Sequence, residues 1–298
     1  MFTPYGKIGV CLFVLITGYF LGDKFITVIS VINRGWKVWS ETFFYAIFMW
    51  IVFAFFSKKL SLLLLVKSIL PVTTNLYWFV TGYIILILLL PAINLLLNNI
   101  NKKQFQYLIV VIMILNFMIP VLQKNLEIMI ISPYLLGAYV KINGFEINHK
   151  GFYLTFIMVI SYLQVVVLNV KGHGLALTIG IIPTLTALLI FLIVLESKPF
   201  YNVTINKLAT TTFAGYIITE YPLMRDLLWQ KILNLSNIKS ALFADLIGFS
   251  AIFIILYIGV FLVDLVRQKI FNILKIDNIP EHIVAFIKNN SYIKRYLK

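Results

Sequence analysis

The sequence predicts an all-α fold: a polytopic transmembrane helix bundle of about nine spans, ending in a basic amphipathic tail. Three observations predict it. Of 298 residues, 61% are hydrophobic and only 12% are charged, against about 45–50% and about 25% in a soluble domain. Lipid is the solvent that suits such a surface. The apolar residues also fall into runs long enough for a helix to cross a hydrocarbon core. The basic residues, which give a net charge of +14, sit mostly in the short connections between those runs.

In chain order the runs are 4–21, 41–56, 77–97, 105–122, 126–140, 152–170, 175–195, 208–229 and 242–266. The first ends at Gly22-Asp23-Lys24. The second opens on Glu41, a carboxylate suited to a helix N-terminus through the helix dipole. Segment 60–71 (LSLLLLVKSILP) is apolar but too short to span, and is expected at the interface or re-entering it. The third run opens on Tyr77 and Trp78, as an aromatic belt does. The fourth follows Lys102 and Lys103. The fifth is short and contains Glu127 and Pro133. The sixth and seventh are separated by Lys171-Gly172-His173-Gly174, a tight turn. The eighth carries Glu220, Arg225 and Asp226 beside Pro222. The ninth has Asp245 and Asp264 near its ends, expected as solvated anchors. Residues 267–298 set Ile270, Phe271, Ile273 and Leu274 against Arg267, Lys269 and Lys275, the pattern of a helical tail lying on a membrane. No repeat or linker divides the chain, so one transmembrane domain is expected.

Orientation follows from the bias of Lys and Arg between alternate sides. Sixteen fall on one side, the seven of the tail included, and eight on the other. This places the C-terminus in the cytoplasm of a multi-pass plasma-membrane protein. The basic charge meets lipid headgroups there, so nucleic acid is not an expected partner. The single cysteine, Cys11, excludes an intramolecular disulfide and a cysteine metal cluster. His149, His173 and His282 lack metal-ligand spacing, and no metal is expected.

Ionisable groups inside spans cost about 2.5–3.5 kcal/mol each to insert, which makes them functional candidates. The main cluster is Glu220, Arg225 and Asp226. Pro222 between them can open the helix. The alternative is structural: Arg225 snorkels to the interface and pairs with Asp226 or Glu220.

Four stretches taken together resemble the acyltransferase-3 family, membrane O-acyltransferases that acetylate cell-surface glycans. GKIGVCLFVLITGYFLGDKF (6–25) is similar to that family's second helix, and KVWSETFFYAI (37–47) to the start of the next. LPVTTNLYWFVTGYIILILLLPAINLLL (70–97) resembles its Tyr-Trp-Phe helix. INKLATTTFAGYIITEYPLMRDLLW (205–229) resembles its late Thr-Thr-Phe-Gly-x-Tyr segment ending in Pro-Leu-x-Arg. With PYLLGAYVKI (133–142), the likeness covers nearly the whole chain.

The resemblance implies transfer of an acyl group, expected to be acetyl, from acetyl-CoA to a capsule or exopolysaccharide, or to its lipid-linked precursor. Glu220 would orient or deprotonate the acceptor hydroxyl, and Arg225 would hold an anion or oxyanion. Tyr77, Trp78, Tyr216 and Asp226 would contact the acceptor, although an aromatic belt also accounts for Tyr77 and Trp78. Lys24, Arg34 and Lys37 form the first cytoplasmic loop; they could grip the CoA phosphates or act only as topology signals.

Two departures from the family pattern bear on activity. Thr219 and Glu220 stand where members often have His and Asp. The family's first helix carries Arg and, eleven positions on, His. The chain begins where the second helix is expected, and Ala138, Tyr162 and Phe271 precede its three histidines at that spacing. Either the start lies upstream or the product is a truncated, impaired acyltransferase. A glycan flippase or other transporter, and a polysaccharide polymerase, are the rival functions.

Overall fold

The computed structural model describes residues 3–57, 61–118, 130–159, 181–232 and 242–289. Among these the regular elements are helical, with no strand. They are α1 (Thr3–Leu21), α2 (Val28–Ser57), α3 (Leu62–Ile69), α4 (Trp78–Asn99), α5 (Lys102–Met118) and α6 (Ile131–Asn143). Then follow α7 (Lys150–Val159), α8 (Ile181–Glu196), α9 (Val203–Thr210), α10 (Thr212–Glu220), α11 (Pro222–Asp226) and a π-helical turn (Leu227–Ile232). The chain continues with α12 (Leu242–Leu274), a 3₁₀ turn (Ile276–Asn278) and α13 (Ile279–Asn289).

Three helices are long and apolar enough to cross a membrane: Val28–Phe56 within α2, Trp78–Asn99, and Ser250–Leu274 within α12. Helices Lys7–Leu21, Lys150–Val159 and Ile182–Glu196 are apolar but shorter. Nine spans are therefore not supported among the described residues. Residues 119–122 of the fourth run and 126–129 of the fifth, with Glu127, lie outside the described residues. So do 160–170 of the sixth, 175–180 of the seventh, the turn bearing His173, and the side chain of Asp245.

The eighth run, 208–229, is not one helix but a series of short pieces. Proline disfavours helical geometry in the residue before it and lacks an N–H of its own. Tyr221 accordingly sits at φ −58°, ψ 130°, ending α10, and Pro222 starts α11.

The second run begins earlier than its apolar stretch suggests. Helix α2 has 30 residues, so Glu41 lies in its middle rather than at its N-terminus. Arg34 and Lys37 stand on this helix, not in a loop. The reason is periodicity: Arg34, Lys37, Glu41 and Tyr45 recur at i, i+3, i+7 and i+11, which gathers the polar groups onto one stripe without breaking the helix. Helix α12 likewise runs through Asp264 and Arg267 to Leu274. It ends where Lys275 adopts left-handed backbone geometry at φ 50°. The amphipathic tail thus starts after Leu274 and not at 267.

The chain forms two compact units. The first comprises residues Met1–Val31 and Gly82–Pro199. Its centre is α1, packed on α6 and α8. The approach of α1 to α6 requires glycine: a Cβ on Gly18 would run into the Tyr134 carbonyl, and one on Gly137 into the Leu15 carbonyl. Asn94 fastens α4 to the end of α1, donating from Nδ2 to the carbonyls of Leu21 (2.6 Å) and Lys24 (2.9 Å). Its Oδ1 accepts from the Tyr134 hydroxyl at 2.6 Å. Cys11 is buried, with Sγ 3.7 Å from Thr184 Oγ1.

The second unit comprises residues Ile32–Thr81 and Phe200–Lys298. Here α10 packs on α12, and Tyr257 on α12 donates to the Leu208 carbonyl at 2.8 Å. Ser68 on α3 meets the Tyr221 hydroxyl at 3.3 Å.

Candidate functional site

Two polar clusters occupy the second unit. The first surrounds the break between α10 and α11. Tyr77, 1% exposed, ends the turn that follows α3, and Tyr216 lies on α10. Both hydroxyls are buried; that of Tyr77 has no hydrogen-bond partner, while that of Tyr216 lies against the backbone of Phe79. Glu220, Tyr216 and Tyr221 lie close enough to the Tyr77 hydroxyl to act on it electrostatically. Glu220 and Arg225 both act electrostatically on Tyr216, with opposite sign. The Phe79 ring packs edge-on against Tyr216 at 5.4 Å. Tyr221, fully buried, stacks on Phe53 at 6.0 Å.

The fold therefore brings together four residues singled out from the sequence: Tyr77, Tyr216, Glu220 and Arg225. Glu220 is half-buried, while Arg225 and Asp226 are exposed. Trp78 is half-buried at the start of α4, its ring 6.1 Å from Phe79. An unpaired buried hydroxyl leaves about 1–3 kcal/mol of desolvation uncompensated. The two hydroxyls beside a half-buried carboxylate and an arginine make a set of donors and one acceptor suited to a polyhydroxylated ligand.

The three cations expected to grip CoA do not form one loop. Lys24 lies in the turn after α1, in the first unit; Arg34 and Lys37 lie on α2, in the second. All three are exposed.

The second cluster lies between α2 and α12. Asp264 is completely buried. Its Oδ1 accepts from the Tyr45 hydroxyl at 2.6 Å and from Arg267 Nε at 2.7 Å, and its Oδ2 accepts from Gln268 Nε2 at 2.8 Å. Arg267 also reaches Glu41 at 3.5 Å and lies over the Phe271 ring at 5.0 Å. The expectation that Asp264 is a solvated anchor is thus corrected. A buried carboxylate needs donors, and α12 and α2 supply three. Sequence reasoning missed Tyr45, Arg267 and Gln268. The available signal was Asp264, Arg267 and Gln268 at i, i+3 and i+4 on a long apolar helix.

Among the described residues, no group of three or more His, Cys, Asp or Glu is placed to hold a metal ion. No family model matches the chain, no curated protein matches it and no solved structure matches it. The likeness to acyltransferase-3 enzymes rests on the motifs quoted above.

Proposed function

We propose that this chain is a membrane-embedded O-acetyltransferase, carrying an acetyl group from acetyl-CoA to a hydroxyl of a surface polysaccharide or of its lipid-linked precursor. The single observation that carries the reading, beside the motif resemblance, is the convergence of Tyr77, Tyr216, Glu220 and Arg225, with the buried Tyr77 hydroxyl unpaired. In this reading Glu220 accepts the proton of the acceptor hydroxyl, whose oxygen attacks the thioester carbonyl. An ester C–O bond forms as the C–S bond breaks, and Glu220 returns its proton to the CoA thiolate, which leaves as the thiol. Arg225 holds the negative charge that develops on the carbonyl oxygen. Tyr77 and Tyr216 donate to sugar oxygens, Trp78 stacks against the ring, and Asp226 accepts from a further hydroxyl. Arg34 and Lys37, both exposed on α2, bind the CoA phosphates as fixed positive charges.

The finer topology belongs to the same proposal: a multi-pass plasma-membrane protein of about nine spans with its C-terminus in the cytoplasm, as the Lys/Arg bias implies. The test is to delete the gene and measure glycan O-acetyl content and polymer export together. Loss of O-acetyl groups with export intact is expected. Loss of export with acetylation unchanged would overturn the proposal in favour of transport.

Transport is the second reading, and one observation favours it. Asp264, Arg267 and Glu41 are ionisable groups set within the two long apolar helices α2 and α12, where carriers place proton and ion relays.

A further inference from the structure

Helix α3 has 8 residues and rises only about 12 Å, too little to cross a membrane, yet it carries a broad apolar face. Leu62, Leu63, Val66, Ile69 and the capping residue Leu70 are 42–73% exposed. At one turn per 3.6 residues they fill a single arc about 120° wide. Ser68 lies opposite, completely buried, where it meets the Tyr221 hydroxyl. Lys67, half-buried, stands at the edge of the arc, from which a lysine can carry its charge up to the headgroups along its apolar stem.

Two hydrogen bonds fix the depth of α3. Val28–Phe56 within α2 has 29 residues and rises about 43 Å, the thickness of a bilayer with its headgroups. Trp50 lies about 9 Å before Phe56 along this helix, which sets it at the boundary between headgroups and hydrocarbon. Its Nε1 donates to the Ser61 carbonyl at 3.3 Å, so α3 starts at that level. Beyond α3, the Val72 carbonyl accepts from Thr81 Oγ1, in the first turn of α4, at 3.1 Å. Helix α4 has 22 residues and rises about 33 Å, close to the hydrocarbon thickness of about 30 Å alone. Its first turn therefore stands at the same boundary. The ends of α3 are satisfied from within the chain. Ser61 Oγ accepts from the Leu64 N–H at 3.2 Å, and Thr74 Oγ1 donates to the carbonyls of Lys67 (3.3 Å) and Leu70 (2.7 Å). Backbone groups need such partners where water is scarce.

We infer that α3 is an interfacial helix whose apolar face rests on phospholipid acyl chains at the hydrocarbon boundary, and that its Ser68–Tyr221 contact holds the site around Tyr77 and Glu220 at the same level, near the membrane surface and not at its midplane. A substrate enters such a site from the headgroup layer.

The test measures depth. In the full chain carrying Cys11→Ala, a bimane label is attached at Leu63→Cys, at Val66→Cys or, beside the site, at Leu223→Cys. Each variant is reconstituted in phosphatidylcholine vesicles at matched helix content by circular dichroism. The quenchers are lipids bearing a nitroxide on the chain near the carbonyl or near the terminal methyl, and iodide in the water. All three labels should be quenched severalfold more by the nitroxide near the carbonyl than by either other quencher. For the two α3 labels, strongest quenching by iodide would mean a helix facing water. Strongest quenching from the terminal methyl would mean a re-entrant helix, and quenching by none would mean a face covered by protein. Each of these results overturns the lipid contact. Strongest quenching of the Leu223→Cys label from the terminal methyl would set the site near the midplane and overturn its surface placement. No readout depends on acyl transfer, so a failure here is distinguishable from a failure of the proposed activity.

Discussion

At the residue scale, the unusual feature of Glu220 is its position. It is the last residue of α10, where the negative end of the helix dipole disfavours a carboxylate by about 0.3–1 kcal/mol. Its placement does not stabilise the helix, which directs attention to its neighbours, the buried hydroxyls of Tyr77 and Tyr216. Changing Tyr77 to Phe removes a buried hydroxyl that has no partner, so stability should hold or rise slightly. Under the acetyltransferase reading the same change should lower transfer about tenfold or more. Thermal unfolding in detergent and acetyl incorporation, measured on one preparation, check both halves. Arg225→Ala should abolish acetylation without lowering membrane abundance, and Arg225→Lys should fail too if the planar guanidinium fork is needed. Wild-type acetylation in the Ala variant would remove Arg225 from the site.

At the element scale, two helix pairs depend on opposite physics. The α1–α6 contact is backbone against backbone, with Gly18 and Gly137 in the seam. Small residues give such close approach in lipid, where apolar association has little hydrophobic drive. Gly137→Leu should separate the two helices and reduce the yield of folded protein, seen as early elution or aggregation in size-exclusion chromatography; Gly9→Leu, where a side chain meets open space, should not. The α2–α12 contact is held instead by the Tyr45–Asp264–Arg267 network, with Glu41 at 3.5 Å from Arg267. Arg267→Leu strands two carboxylates and should cost about 3–5 kcal/mol, read as a fall in midpoint during thermal or denaturant unfolding. Arg267→Leu combined with Asp264→Leu should recover part of that loss, because the uncompensated charge at the buried pair disappears.

At the scale of the whole molecule, the three long apolar helices and the apolar composition place the protein with lipid. It should remain in the pellet after alkaline carbonate extraction. Counting spans needs a topological measurement. With Cys11 changed to Ala, single cysteines placed in the connections should report their side by reaction with a membrane-impermeant maleimide. About nine alternations are expected under the finer topology. Three alternations would restrict spanning to α2, α4 and α12, and the shorter apolar helices would then be packed against protein rather than through lipid.

The all-helical class and the membrane setting were legible in the sequence, because both follow from local quantities: the length, apolarity and period of each run. Pro222 as a break was legible for the same reason, since a proline acts on the residue immediately before it. The extent of α2 was obscured by Arg34, Lys37 and Glu41. These charges interrupt an apolar count but, falling on one stripe, leave the helix intact. Asp264 and Arg267 were read as the edge of a span and the start of a tail, because a one-dimensional run cannot show which charges will be shielded together. Only the tertiary structure decided that Tyr45 reaches Asp264 from 219 residues away, and that Tyr77 and Tyr216 meet with Glu220 beside them. Apolar transfer is nearly additive along the chain. The pairing of buried polar groups is not: it depends on which helices touch, and no single segment contains that information.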